Sequence, residues 1–206
     1  MELKTGNTEQ LILEVAEKLF IEKGYTGTRT AEIANEAGVN QALLHYYFRT
    51  KENLFNQIFE QKATQLLECF SMSVDNDSAF FEELKAGIEA HFEILSKSPG
   101  LPLFILREVV SDKNRKDFIM KNLLPTGMEL YKKLKVAIRR EARRGRIRPV
   151  RTFDLLFNVV SLNVFAFVAA QLLFDTNAEE DQKNMRKFLE ERKRNNIKLI
   201  INSLKP

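Results

Sequence analysis

Three polar side chains lie close together in the sequence, and each could contact nucleic acid in a different way. The amide of Gln41 can pair with the edge of an adenine through two hydrogen bonds. The hydroxyl of Tyr46 can donate to a phosphate, and the ammonium of Lys51 can attract one. Leu43 stands between them, and an apolar side chain there could contact a thymine methyl group. Together these residue types favour the recognition of double-stranded DNA.

Two short helices joined by a tight turn would hold these side chains in place. Ile33 marks the apolar face of the first helix, and Leu44 and Phe48 lie one turn apart in the second. Gly38 stands between the helices, where a left-handed backbone conformation has no steric cost for glycine. Asn40 can then accept a hydrogen bond from a free N–H of the second helix. The pattern predicts a helix-turn-helix, whose second helix enters a DNA major groove.

The same segment resembles the signature of TetR-type transcriptional regulators, specifically over residues 8–60. The matching residues are Gly24-Tyr25 at the end of the preceding helix, Ala34, Ala37-Gly38-Val39-Asn40, Leu44-His45-Tyr46-Tyr47-Phe48 and Lys51-Glu52-Asn53-Leu54. The sequence departs from residues common in the family at Arg29, Ala42 and His45. Because these positions lie near the expected DNA surface, the operator sequence cannot be transferred from a relative.

The resemblance implies an all-α protein with two domains. Residues 1–50 would form a three-helix helix-turn-helix DNA-binding domain, and residues 51–206 a helical ligand-sensing and dimerisation domain. Tyr47 could contact a phosphate or pack, and His45 could contact DNA or be a neutral surface or packing residue. The predicted DNA-contacting residues are Arg29, Thr30, Asn40, Gln41, Ala42, Leu43, His45, Tyr46, Tyr47 and Lys51.

Lys51 carries a separate physical argument. It occupies the first position of its predicted helix, where the macrodipole disfavours a cation by about 0.3–1 kcal/mol. A phosphate bound at that end of the helix would reverse the balance, because the free N–H groups and the ammonium would both point at it. The alternative is that Lys51 extends into water.

Composition limits the other classes of function. The 206 residues carry a net charge of +4, yet residues 28–62 contain four positive and four negative side chains, so their charges cancel. The strongest basic run, Lys132–Arg151, has ten positive residues against Glu141 alone; it is either a phosphate-binding patch or the solvated end of a helix. One cysteine fits a reducing cytoplasm, and no signal peptide is visible. With two histidines and no phosphate-cradling glycine loop, we expect no enzyme activity, cofactor or metal site.

The rest of the chain reads as helix. The first helix would have a cap at Asn7 or Thr8 and stop at Gly24. Breaks are expected at residues 75–78, at 98–102 and around Pro125. The helices after the predicted helix-turn-helix are expected at residues 51–74, 79–96, 103–111, 114–144, 152–175 and 179–204.

The segment from Phe153 to Phe174 is apolar on nearly all sides. Its length invites a transmembrane interpretation, but its Asp, Asn and Gln side chains would be costly in lipid. A helix of this kind is equally expected in a core shared by two subunits. Resemblance to TetR-type regulators implies that it pairs with Met185–Leu204 and their copies in a four-helix dimer interface, without a membrane.

Twelve of the 16 phenylalanines lie from Phe70 onward, and most of them are expected in the core. The resemblance to TetR-type regulators implies a small-molecule pocket in this helical domain, where a phenylalanine-rich lining would suit a small hydrophobic effector. The function predicted is that of a cytoplasmic, homodimeric regulator, a repressor that leaves a palindromic operator when the effector binds. Control by a protein partner is an alternative, and a membrane-anchored helical adaptor is an alternative of another class. The predicted pocket residues are His91, Phe92, Phe104, Arg107, Glu108, Asn158, Asn163 and Phe165.

Overall fold

The structure is a computed structural model that describes residues 5–71, 80–111, 113–175 and 177–206. These residues form ten helices and no strand, so the prediction of an all-α protein is confirmed. The predicted break at residues 75–78 and the side chain of Asn7, a predicted cap, lie outside the described part of the chain. The helices are α1 Thr5–Gly27, α2 Thr30–Glu36, α3 Gln41–Phe48, α4 Lys51–Glu68, α5 Phe80–Lys97, α6 Leu101–Ser111, α7 Lys113–Asn122, α8 Leu124–Arg143, α9 Thr152–Leu173 and α10 Glu179–Leu204.

Two predicted helix ends were wrong. Thr8 lies inside α1 and does not cap it. Helix α4 ends at Glu68, six residues before the predicted end, because the chain turns there to bury Phe70 in an apolar core. The turn passes so close to α5 that a Cβ at Gly87 would lie 2.6 Å from the carbonyl oxygen of Cys69. That contact requires a glycine, and the helical periodicity of residues 51–74 gives no sign of it.

The two prolines near α6 and α8 lie in first turns of helices. Pro102 is the second residue of α6. The helix begins at Leu101, two residues before the predicted start at Leu103. Pro125 lies in the first turn of α8, and the break before it is at Leu123. Proline is tolerated at these positions because its missing N–H would have no partner within the helix. The predicted break near Pro125 is therefore confirmed, displaced by two residues.

The contacts divide the described residues into two compact units. The first unit comprises residues up to Ala63 together with Leu103–Met120, and the second comprises Thr64–Pro102 with Lys121–Pro206. This grouping differs from the predicted division at residue 50. The difference arises because α4 begins within the core of the first unit and because most of α6 and α7 packs there as well.

The first unit has an aromatic core that joins α1, α4 and α6. Phe20 and Phe55 meet edge to face with their ring centroids 5.1 Å apart, and Phe104 of α6 lies 5.6 Å from Phe55 and 6.1 Å from Phe59. Such pairs contribute roughly 0.5–1.5 kcal/mol beyond the burial of their area. The buried hydroxyl of Thr28, the residue after α1, lies 2.8 Å from the carbonyl oxygen of Gly24 and anchors the connection to α2 on the last turns of α1.

The second unit buries apolar residues of α5, α8, α9 and α10 around a small polar centre. The amide nitrogen of Asn163, which is fully buried, donates to the carbonyl oxygen of Ile88 at 3.2 Å and lies 3.3 Å from Nδ1 of His91. The amide oxygen of Asn163 accepts from Asn196 at 3.2 Å. Burial lowers the pKa of His91 to about 4, so the ring is neutral and its Nδ1 can accept the bond. The three bonds satisfy the groups whose burial would otherwise cost stability.

Helix α9 has a buried face and an exposed apolar face. Phe153, Phe157 and Phe165 are each 60% exposed or more, on the side of the helix opposite to the buried Val159 and Asn163. Among the described residues, α9 is the one helix long and apolar enough to cross a membrane, with a third of its most apolar stretch buried; a core helix of a soluble protein passes the same test.

We expect His91 to make the protein less stable in acid. Between about pH 6.5 and pH 4 the unfolded chain takes up a proton at this side chain and the folded chain does not, so stability falls as the pH falls. The free energy of unfolding should drop by about 2 kcal/mol more in the wild type than in His91→Gln between pH 7 and pH 4.5. Urea titrations of both proteins at the two pH values measure the difference. An equal loss of unfolding free energy in the wild type and in His91→Gln would show that His91 does not titrate in this way.

Candidate nucleic-acid interface

Helix α3 is held by two side chains and presents the opposite face to solvent. Leu44 and Phe48 are buried, at 0% and 3% exposure, as the sequence predicts. Gln41, Ala42 and Tyr46 are exposed, with Tyr46 at 75%. Of the predicted contact residues on α3, Leu43 and Tyr47 are half-buried, and the Tyr47 ring packs edge to face with Tyr46 at 5.4 Å. The outer face of α3 therefore combines an amide, a small side chain and a phenol.

Side chains at both ends of α3 satisfy its backbone. The amide oxygen of Asn40 accepts a bond from the N–H of Leu43 at 2.8 Å, so its predicted role as a cap is confirmed. Nδ1 of His45 lies 3.0 Å from the carbonyl oxygen of Arg49 and must donate to it. Arg49 has φ +62°, which ends the helix. His45 thus stabilises the end of α3 while its ring stays exposed.

The remaining predicted contact residues lie at the starts of α2 and α4. Arg29 is exposed and precedes α2, and Thr30, half-buried, is its first residue. Thr50 caps α4 by accepting from the N–H of Asn53 at 3.1 Å. Lys51 is the first residue of α4, as predicted, and is half-buried.

The ammonium of Lys51 lies against an aromatic ring. Its Nζ is 4.1 Å from the centroid of Tyr25. Burial lowers the pKa of Lys51, and the nearby charge of Arg115 lowers it further, while Glu52 and Glu108 oppose that shift. The sequence gives no sign of this contact, because Tyr25 precedes Lys51 by 26 residues and Arg115 follows it by 64.

The eight predicted pocket residues fall into three separate environments. Phe104, Arg107 and Glu108 belong to the first unit, where Phe104 packs on Phe55 and Phe59. His91, Phe92 and Asn163 are buried in the second unit, and Asn158 and Phe165 are exposed on α9. Phe165 lines an open groove between α9 and α10, whose walls are formed by Ser161, Leu162, Phe165, Ala166, Ala169, Phe188, Arg192 and Asn196.

Comparison with known proteins relates the N-terminal part of the chain to a family of regulators. Residues 12–58 match the family model "Bacterial regulatory proteins, tetR family". The chain is 33% identical over 103 residues to "HTH-type transcriptional regulator AcrR" of Shigella flexneri, which covers 50% of this chain and 38% of that protein. It is 27% identical over 92 residues to "Fatty acid metabolism regulator protein" of Bacillus subtilis (strain 168), which covers 45% of this chain and 47% of that protein. The matches thus span about half the length of these relatives or less.

The fold of the whole chain is that of solved TetR-type structures. FadR from Bacillus subtilis in complex with stearoyl-CoA superposes with a TM-score of 0.68 and 19% identity, covering 94% of this chain and 98% of that one. At this identity the match shows the fold alone. The family match at residues 12–58 confirms the predicted resemblance of this segment to TetR-type regulators, and the superposition confirms the predicted all-α fold with an N-terminal helix-turn-helix and a C-terminal helical region.

The glycine before Tyr25 offers a test of the backbone that precedes the helix-turn-helix. Gly24 has φ +73° and ψ 175°, a conformation open almost only to glycine. A Cβ there would lie 2.8 Å from Nη2 of Arg107 and 3.2 Å from Oε1 of Glu108. Gly24→Ala should therefore lower the free energy of unfolding by roughly 1–3 kcal/mol. Gly38→Ala is the matched control, because Gly38 has φ +65° and no atom near the new methyl group. We expect a smaller loss there, about 1 kcal/mol, and equal losses in thermal unfolding would contradict this account.

Proposed function

We propose that this protein is a cytoplasmic, homodimeric transcriptional regulator that binds a palindromic operator and responds to a small hydrophobic effector. It acts as a repressor, and binding of the effector releases the DNA. The observation that carries the proposal is the exposed outer face of α3, bordered by Lys51 at the start of α4.

The chemistry of that face suits DNA. Gln41, at the N-terminus of α3, can reach base edges, and the small Ala42 beside it allows close approach of the backbone. Tyr46 can donate to a phosphate on the flank. The charges of residues 28–62 cancel, so binding depends on a few well-placed groups more than on a broad positive field.

The effector proposal is supported by the phenylalanine-rich second unit and by the comparisons with Bacillus subtilis regulators. One is named as a regulator of fatty acid metabolism, and FadR was solved in complex with stearoyl-CoA. We therefore expect an effector with a long apolar portion.

Dimerisation is supported by the exposed face of α9. Phe153, Phe157, Phe165 and Leu172 are each at least 60% exposed, more apolar area than a lone subunit would leave in water. A second copy placed against α9 and α10 would cover it. Two-fold symmetry of the protein would then be mirrored in an operator with two half-sites.

Two alternatives make different predictions. A regulator controlled by a protein partner would keep its operator affinity in the presence of fatty acids and acyl-CoA molecules. A membrane-anchored adaptor that uses α9 as its anchor would need detergent for extraction. Extraction into a detergent-free buffer would remove the second alternative.

Substitutions at Lys51 and Gln41 test the proposed DNA surface. Lys51→Ala should weaken binding about equally on operator and random DNA, and it should reduce the slope of log affinity against log salt by about one, since one fewer counterion is released. Gln41→Ala should leave the affinity for random DNA unchanged and weaken the binding free energy for the operator by roughly 1–3 kcal/mol. Salt titrations of binding to both DNAs, the operator being first selected from genomic fragments, measure these effects.

Tyr46→Phe is the control for charge. It should weaken both complexes modestly and leave the salt slope unchanged, because a hydroxyl carries no charge. An unchanged slope for Lys51→Ala, or equal losses on both DNAs for Gln41→Ala, would show that α3 does not read the groove as proposed.

A charge placed on α9 tests the proposed dimer. The wild type should scatter light as a dimer of 23.9 kDa subunits, with an interface of about 2,000 Å² or more. Phe157→Glu should produce monomers at micromolar concentration, because a carboxylate would be buried against the second copy. Val136→Glu is the control, since Val136 is 53% exposed on α8 and lines a separate surface groove with four arginines. A monomeric wild type would defeat the proposal.

A further inference from the structure

The side chain of Lys51 does not stand alone at the start of α4. Its Nζ lies 4.1 Å from the centre of the Tyr25 ring, and the side chain is half-buried. A cation over an aromatic face is attracted by the ring's quadrupole, so Tyr25 restrains an otherwise flexible arm. A free lysine side chain carries about 2 kcal/mol of rotamer entropy, much of which must be lost when it fixes on a phosphate. Restraint before binding reduces that loss.

Tyr25 is itself held by residues from α6 and α7. Its backbone N–H donates to Oε1 of Glu108 at 3.2 Å, and the guanidinium carbon of Arg115 lies 4.0 Å from the ring centroid. Oε2 of Glu108 is 3.2 Å from Nε of Arg115, so the two residues are joined as a buried ion pair. The same guanidinium lies 4.1 Å from the ring centroid of Phe55 in α4. Arg115 therefore contacts the rings on both sides of the α1–α4 junction.

The turn before Tyr25 is shaped for this contact. Gly24 has a conformation that breaks α1, and Nη2 of Arg107 lies 3.4 Å from the carbonyl oxygen of Phe20, which that break leaves accessible. Glu108 accepts from the backbone N–H of Tyr25, and Arg107 donates to the carbonyl oxygen of Phe20. Two adjacent residues of α6 therefore bind the backbone of this turn. The position of Tyr25 is thus fixed through its backbone as well as its ring.

The charges of the cluster explain why an ion pair is needed there. Lys51 and Arg115 are both positive and both lie on Tyr25, so they repel each other. Glu108 is 5% exposed, and its carboxylate pairs with Arg115 beside the Tyr25 ring. The negative charge therefore offsets the positive charge of Arg115 next to Lys51. Without Glu108, the guanidinium of Arg115 would keep its longer contact with the exposed Glu52, at 3.9 Å, and would push the ammonium away from Tyr25.

We propose that Glu108 and Arg115 are positioning residues for DNA binding, which hold Tyr25 as a platform on which the ammonium of Lys51 is aligned for a phosphate. This rests on the proposed function, since it takes Lys51 as a phosphate contact. It assigns part of the DNA-binding surface to α6 and α7, more than 50 residues after the helix-turn-helix in sequence.

The first experiment needs no DNA. In the NMR spectrum of the full chain, the ε-methylene protons of Lys51 should be shifted upfield by the ring current of Tyr25. Tyr25→Phe retains the ring and should retain the shift, and Tyr25→Leu should abolish it. The net-neutral pair Glu108→Gln with Arg115→Met, which leaves no buried charge unpaired, should diminish it. A shift unaffected by Tyr25→Leu or by the pair would overturn the proposal.

The second experiment is a double-mutant cycle on DNA affinity, with folding of each variant checked by circular dichroism. Tyr25→Leu should lower affinity for operator and random DNA alike, by about two- to fivefold, the range expected of an exposed cation–π contact. Tyr25→Phe should bind as the wild type does. In a Lys51→Ala background, Tyr25→Leu and the Glu108→Gln, Arg115→Met pair should cause no further loss, because both act through Lys51.

The outcomes separate the two proposals. If Lys51→Ala weakens binding and Tyr25→Leu causes the same loss in both backgrounds, Tyr25 supports the domain in general; the positioning role is then wrong while the proposed function stands. If Lys51→Ala leaves binding to both DNAs unchanged, Lys51 is not a phosphate contact, and the positioning role falls with that part of the proposed function.

Discussion

The burial of Leu44 and Phe48 is the constraint on which the proposed DNA-binding surface depends. Helix α3 has eight residues, far fewer than an isolated helix needs to be stable in water. Its two buried side chains, together with the cap at Asn40, fix both its existence and its rotation about its axis. Once that rotation is set, Gln41, Ala42 and Tyr46 must face outward. The chemistry of the surface thus follows from two apolar contacts on its hidden side.

Local features of the sequence predicted much of this fold. Glycine at position 38, the cap at Asn40 and the spacing of Leu44 and Phe48 act within a few residues, so the helix-turn-helix could be placed without structural information. The bounds of α10 were predicted to the residue, because its acidic first turn and apolar stripe are local signals as well.

Features that depend on distant contacts were not predictable. The end of α4 is set by the approach of Cys69 to Gly87, and nothing within α4 encodes it. The apolar neighbours of Arg107 and Glu108 in sequence were explained equally well by a ligand pocket, an internal ion pair or a surface pair. In the structure Arg107 and Glu108 contact the end of α1, more than 80 residues earlier in the chain. Periodicity indicates which face of a helix is buried, but it does not indicate which partner covers that face.

The amide of Asn163 has a mechanical consequence for the second unit. It bonds to Ile88 and His91 on α5 and to Asn196 on α10, so three helices meet at one planar group. Apolar contacts can slide past one another with little change in energy, but turning α9 by a single residue would break all three bonds and leave buried amides without partners. Helices α5, α9 and α10 should therefore shift as one rigid block, and deformation of this unit would concentrate in α8 and in the segments that join the block to the rest of the chain.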